Sequence, residues 1–232
     1  MGKIGIMGES ASFANAAGRG GMEMPELSFV GSSDDPYIQS LSCNGKITIE
    51  SIKNGKPVVK SYYALRSQKV DIQADADTIV LIKGYVTELQ FTKYNNDPDI
   101  DDWEGYMELS SVSVGDNSNI KILSIALNEN IEELDLAANT QLQNLYCNSC
   151  TGLTSLDLAA NTQLQNLDCY GCTGLTLIKY GAGNENVSTA IAGAITDANA
   201  IDGTVYTDSA EAYYSTIADA ATAKGWTIEQ LA

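Results

Sequence analysis

Residues 131–180 read IEELDLAANTQLQNLYCNSCTGLTSLDLAANTQLQNLDCYGCTGLTLIKY, and within them segments 133–154 and 155–176 agree at 18 of 22 positions. A period of 11 lies inside that period of 22. The template L-x-x-L-x-L-x-x-N fits Leu109/Val112/Val114/Asn117, Ile120/Leu123/Ile125/Asn128 and Ile131/Leu134/Leu136/Asn139. It fits again at Leu142/Leu145/Cys147/Cys150, Leu153/Leu156/Leu158/Asn161 and Leu164/Leu167/Cys169/Cys172, and ends in a frayed copy at Leu175/Ile178/Tyr180/Gly183. Seven consecutive units without a slip mark an internal repeat, and this decides the fold.

The pattern has a physical reading. Alternation in Leu-x-Leu turns two side chains to the inner face of a short strand. The Asn falls at the bend, where its amide satisfies backbone groups that a turn leaves unpaired. One 11-residue unit is too short to enclose a core, so two units form one 22-residue coil with a strand on each of two sides. Stacking at about 4.8 Å buries each Leu row against the next. Leu134, Leu136, Leu145, Leu156, Leu158 and Leu167 are expected to point inward.

A stack of coils exposes strand edges at both ends and needs caps. Upstream, residues 36–91 alternate in β fashion (KITIESI, PVVKSYYAL, KVDIQA, TIVLI), separated by Asn44-Gly45, Asn54-Gly55 and the polar stretch Asp75 to Asp77. Asn-Gly between alternating runs predicts hairpins, hence a small antiparallel β domain that caps the stack. Residues 92–108 form an acidic insertion loop ahead of the repeats at 109–185. Downstream, residues 186–232 read as a helix, the strand GTVYT, a second helix and the strand WTIEQL. Asp208 or Ser209 is expected to cap the second helix and Gly225 to end it. The expected class is mainly β with a small α/β C-terminal part.

Residues 1–35, rich in Gly, Ala, Ser and Met, show no periodicity and read as an extended arm. Ordering such a segment costs about 1–2 kcal/mol per residue, so a partner surface is expected to hold it. An arm draped over its own domain is the alternative.

Composition excludes several classes. Thirty acidic against 13 basic residues give a formal charge of −17, which repels phosphate backbones and anionic lipid; neither nucleic acid nor membrane insertion is expected. The chain has no histidine, which removes most general acid–base sets and most catalytic zinc sites. A non-enzymatic protein is expected, with a carboxylate-dependent hydrolase as the enzymatic alternative. The opening residues carry no apolar core of the kind a secretory signal needs, which predicts retention in the cytoplasm or release by lysis.

The text LDLAANTQLQNLDCYGCTGLT resembles the leucine-rich repeats of surface proteins from Bacteroides-type bacteria and of structural proteins of their phages. The resemblance covers about residues 82–185, with a similar-looking C-terminal segment after it. It implies a leucine-rich-repeat solenoid on a virion or, alternatively, on a bacterial cell surface. The secreted bacterial members carry an export signal, and its absence from the opening residues favours the phage reading. Other virion or surface proteins would then be partners through the arm, with a host-surface ligand, protein or glycan, on the repeats.

Candidate sites follow from the register. Cys147-x-x-Cys150 and Cys169-x-x-Cys172 have the spacing of a four-cysteine zinc site. Yet Cys147 and Cys169 occupy the inner Leu position, and Cys150 and Cys172 the Asn position, so buried free thiols are expected and zinc or disulfides are the alternatives. Asp97, Asp99, Asp101 and Glu108 stand at positions 1, 3, 5 and 12 of a calcium-loop spacing. The sixth position, where the tight turn wants Gly, is Asp102. A solvated acidic loop is the main reading and calcium the alternative; no other cofactor is expected. Tyr146, Asn148, Asp168 and Tyr170 are variable positions on the repeat face and are the candidate binding surface.

Overall fold

The structure, a computed structural model, describes residues 24–33, 36–91, 108–115, 117–210 and 212–231. In chain order its strands begin with β1 (Glu26–Gly31), β2 (Tyr37–Lys53), β3 (Lys56–Tyr63), β4 (Gln68–Asp71), β5 (Ile79–Gln90) and β6 (Leu109–Ser113). Short strands follow: β7 (Ile122–Ser124), β8 (Asn144–Tyr146), β9 (Ser155–Asp157), β10 (Asn166–Asp168) and β11 (Leu177–Tyr180). The chain ends with α1 (Glu185–Asp197), β12 (Thr204–Thr207), α2 (Tyr214–Lys224) and β13 (Thr227–Gln230). Among the described residues the protein is mainly β, in one mixed sheet of nine strands and one parallel sheet of four.

The repeats supply two parallel ladders. Glu88, Leu89 and Gln90 of β5 pair with β7, β7 pairs with β8, and β8 with β10. Leu123, Leu145 and Leu167 are therefore neighbours, each 22 residues after the last. On the opposite side β9 pairs with β11 in the same offset, Leu156 beside Ile178. Residues 131–136 hold the place before β9 without regular strand pairing; Thr154 N–H donates to the Glu132 carbonyl at 3.2 Å. Leu134, Leu136, Leu145, Leu156, Leu158 and Leu167 are all buried.

Glycine marks a close approach between successive 22-residue circuits. A Cβ on Gly152 would lie 2.3 Å from the Glu129 carbonyl oxygen, and one on Gly174 would lie 2.3 Å from that of Thr151. The Thr-Gly-Leu step thus has a steric cause.

Two features upstream differ from the sequence expectations. Residues 26–31 are no arm: β1 lies between β5 and β6, antiparallel to both, with Phe29 opposite Val80 and Val112. Leu27 and Phe29 alternate inward, and the Phe29 ring meets Phe91 edge-on at 4.8 Å between centroids. Burial of these side chains offsets the ordering cost within the chain itself. Residues 1–23 and 34–35 of the expected arm lie outside the described residues.

The second difference concerns Asn-Gly. Asn54 and Gly55, both with positive φ (53° and 68°), make the expected hairpin between β2 and β3, and the Asp75 carboxylate accepts both their N–H groups. At Asn44-Gly45, however, β2 runs straight on, absorbing the step as a register shift against β5. Ile38, Leu41 and Cys43 before the step and Ile47 and Ile49 after it are all buried, so one long bulged strand buries more than two short ones. The bulge leans on Gly84 (φ 127°), where a Cβ would come within 2.8 Å of the Lys46 carbonyl oxygen.

No boundary separates the antiparallel region from the repeats, because β5 is shared by both ladders of pairing. Nor does the C-terminal part stand apart. Strands β12 and β13 extend the parallel sheet beyond β11, and α1 lies against β10 where the earlier circuits place a strand. Asn184 caps α1, accepting from Val187 N–H at 3.2 Å. The expected cap of the second helix is corrected: Asp208 instead accepts from Ala210 N–H and Gln230 Nε2, and α2 opens at Tyr213 with no side-chain cap. Gly225 ends it in the left-handed region, as its type demands.

Candidate binding face

Each unit turns at the template's Asn position, and the hydrogen bonding there explains the cysteines. Asn139 Nδ2 donates to the carbonyls of Val114 and Asn117, and Asn161 Nδ2 to those of Leu136 and Asn139. At the other turns Cys150 Sγ donates to the Ile125 carbonyl at 3.2 Å and Cys172 Sγ to that of Cys147 at 3.0 Å. All four of these reach back by the same 25 residues. A thiol thus replaces an amide as donor across the circuits.

Asn128 heads the cysteine column, its Oδ1 accepting from Leu109 N–H and its Nδ2 donating to the Ile125 and Ala126 carbonyls. All four cysteines of the repeats are buried free thiols, as is Cys43. Burial pushes the Cys150 thiol up to about 12 and the Cys169 thiol well above its ordinary value. A hydrogen bond between the two thiols and complete enclosure raise Cys147, and that thiol–thiol bond, with Cys172 as acceptor, lowers Cys172. Cys169 Sγ is turned to the Ala190 carbonyl of α1. Three of the four sulfurs, those of Cys150, Cys169 and Cys172, thus contact separate carbonyls. Among the described residues no three His, Cys, Asp or Glu side chains group as a metal site.

The outward side of β8 and β10, within the ladder β5–β7–β8–β10, carries the residues with accessible chemistry. Strand pairing places Glu88, Ile122, Asn144 and Asn166 in one column, and Gln90, Ser124, Tyr146 and Asp168 in the next. Asn166 Nδ2 donates to Asn144 Oδ1 at 2.7 Å, which orients both amides. Asp168 Oδ1 accepts from Tyr170 N–H at 3.3 Å, and the Tyr170 side chain is 71% exposed. Three stacked turns border this face, with Leu127, Ser149 and Gly171 all at positive φ.

The four expected binding residues therefore fall on one face. Tyr146 and Asp168 are direct neighbours across β8 and β10, and Tyr170 follows Asp168 at the turn. Asn148 sits at the preceding turn, half-buried, its carbonyl accepting from Leu127 N–H. Sequence reasoning missed Gln143, Asn144, Gln165 and Asn166, although they repeat at the same interval of 22 and flank the chosen positions.

It also missed Glu88. This carboxylate is 8% exposed and accepts from Ser40 Oγ at 2.5 Å, Ser42 Oγ at 2.7 Å, Ser67 Oγ at 2.8 Å and Gln90 Nε2 at 2.7 Å. Burial would raise its pKa; the four hydrogen bonds outweigh that and hold it below the ordinary glutamate value. Three of its partners come from β2 and the segment before β4, and no local signal joins them.

Of the calcium-loop residues, Asp97, Asp99 and Asp101 lie outside the described residues. Glu108 is exposed, and its Oε1 accepts from Asn130 Nδ2 at 3.1 Å. Compared with protein-family models, with curated proteins and with solved structures, the chain matches none.

Proposed function

We propose that this chain is a leucine-rich-repeat solenoid of 22-residue coils that acts, without catalysis, as a display scaffold on the surface of a phage virion. The observation that carries the scaffold reading is the constant offset of 22 residues linking Leu123, Leu145 and Leu167 on one side and Leu156 and Ile178 on the other. A stack held by such an offset has a rigid interior and a side-chain pattern on its face that changes freely. The antiparallel strands β1 to β6 cover one end of the stack, and α1, β12, α2 and β13 build on the other.

A non-catalytic role rests on chemistry. The chain lacks histidine, and the buried carboxylate of Glu88 has its oxygens occupied by four neutral donors. A carboxylate so saturated is a poor base. The virion assignment rests on the resemblance of the repeats, and the charge of −17 suits a soluble exposed surface.

Antibodies raised against the full chain provide the test. Gold labelling of purified phage particles is the expected outcome. Labelling of intact bacterial cells alone would assign the scaffold to a cell-surface adhesin instead, and labelling of neither would reject surface display.

A further inference from the structure

The face of β8 and β10 presents side-chain amides and a carboxylate whose hydrogen-bonding capacity is only partly used. In one circuit it carries Gln143, Asn144, Tyr146 and Asn148, and in the next Gln165, Asn166, Asp168 and Tyr170. Among the described residues, Asn144 Nδ2, Asn166 Oδ1, Asp168 Oδ2 and the side-chain amides of Gln143 and Gln165 make no hydrogen bond within the chain. The half-buried to exposed setting of these side chains leaves them reachable from outside.

We infer that this face binds an uncharged oligosaccharide laid across β8 and β10. The inference deepens the display reading and rests on it. Amides and carboxylates pair with vicinal hydroxyls, each offering a donor and an acceptor or two acceptors. Here those groups come in columns repeated from strand to strand at about 4.8 Å, which suits a ligand that itself repeats. Tyr170 adds a flat, exposed ring at the edge of the grid, the amphipathic kind of surface on which a sugar ring's C–H face packs.

The same chemistry disfavours other occupants. A protein interface needs a central, desolvated apolar or aromatic anchor. On this face Ile122 and the Tyr146 ring are both half-buried, and the exposed ring is Tyr170 at the rim. A polyanionic glycan needs a cluster of cations, and the columns offer one lysine, Lys121, on a chain of charge −17. Preorganisation helps the proposed ligand: the Asn166–Asn144 bond and the Asp168–Tyr170 turn fix side chains before anything binds, so less entropy is lost on binding.

The test is titration calorimetry of the full chain against four neutral polymers (dextran, mannan, a galactan and a β-glucan), with dextran sulfate as the charged counterpart. At least one neutral polymer is expected to bind. Tyr170→Ala and the double variant Asn144→Ala/Asn166→Ala are each expected to weaken it tenfold or more with an unchanged melting temperature. Tyr206→Ala, on the other sheet, should leave the affinity as it was. Failure of all four neutral polymers, binding of dextran sulfate alone, or equal affinity in the Tyr170 and Asn variants would overturn the inference. Gold-labelled particles combined with such a failure would remove the saccharide and leave the display reading standing.

Discussion

The Cys172 thiol donates to the backbone carbonyl of Cys147 at 3.0 Å, joining the turn of one 22-residue circuit to the circuit before it. Cys150 does the same toward Ile125. These cysteines are therefore turn residues, standing where other units use the Asn amide. The C-x-x-C spacing is a by-product: the inner strand position and the turn position lie three residues apart in every unit.

Enclosure of the thiols predicts a particular pH response. Cys147, Cys150 and Cys169 have raised pKa values in the folded chain, Cys150 from 9.0 to about 12. A group that resists ionisation when folded contributes stability that is complete below its unfolded pKa and is lost as pH rises through its folded value. Cys172, lowered by the bond it accepts from the Cys147 thiol, works in the opposite sense and offsets part of the loss. The melting temperature should therefore fall as pH climbs from 9 towards 12. At pH near 8 a thiol reagent should label the protein only after denaturation. Rapid labelling of the native chain would contradict the burial.

Leu156 is fully buried between Leu134 and Ile178, its counterparts one repeat period before and after. Leu156→Ala opens a cavity there and should cost about 2–5 kcal/mol in denaturant unfolding. Tyr170→Ala, on the exposed face, should stay within about 0.5 kcal/mol of the parent. Similar losses for both would mean that the inward and outward sides had been misassigned.

Gly152 offers a sharper steric test. A methyl group there points at the Glu129 carbonyl oxygen from 2.3 Å, and backbone cannot yield as a side-chain tip can. Gly152→Ala should destabilise by about 3 kcal/mol or more, the upper end of overpacking effects. At Gly193, on α1, a Cβ meets nothing within 4 Å, so Gly193→Ala should be neutral or stabilising by up to about 1 kcal/mol. Thermal melts of the two variants side by side would check both signs.

Glu88 predicts a loss at the acid end. Its folded pKa is lowered, so its contribution is present above the unfolded carboxylate value and disappears as pH falls through the folded one. Glu88→Ala strands the hydroxyls of Ser40, Ser42 and Ser67 and should cost about 1–3 kcal/mol at neutral pH. The variant should lose less stability than the parent below about pH 4. Parallel acid profiles would show that the carboxylate is not held as described.

The sequence by itself determined the interval of 22, the inward Leu columns, the turn role of Asn and the place of Cys147, Cys150, Cys169 and Cys172 within them. Repetition makes this possible, since each unit meets its neighbours through the same local pattern and period alone specifies register. Non-repeating contacts were decided only by tertiary structure. Nothing local distinguishes Asn44-Gly45 from Asn54-Gly55; the packing of Ile47 and Lys46 against Gly84 makes one a bulge while the other is a hairpin. Residues 26–31 become a strand because β5 and β6, far along the chain, offer both edges. Ser40, Ser42, Ser67 and Glu88 meet because β2 crosses back onto β5. Such pairings depend on which distant backbone supplies the missing hydrogen bonds, and a local pattern carries no record of that choice.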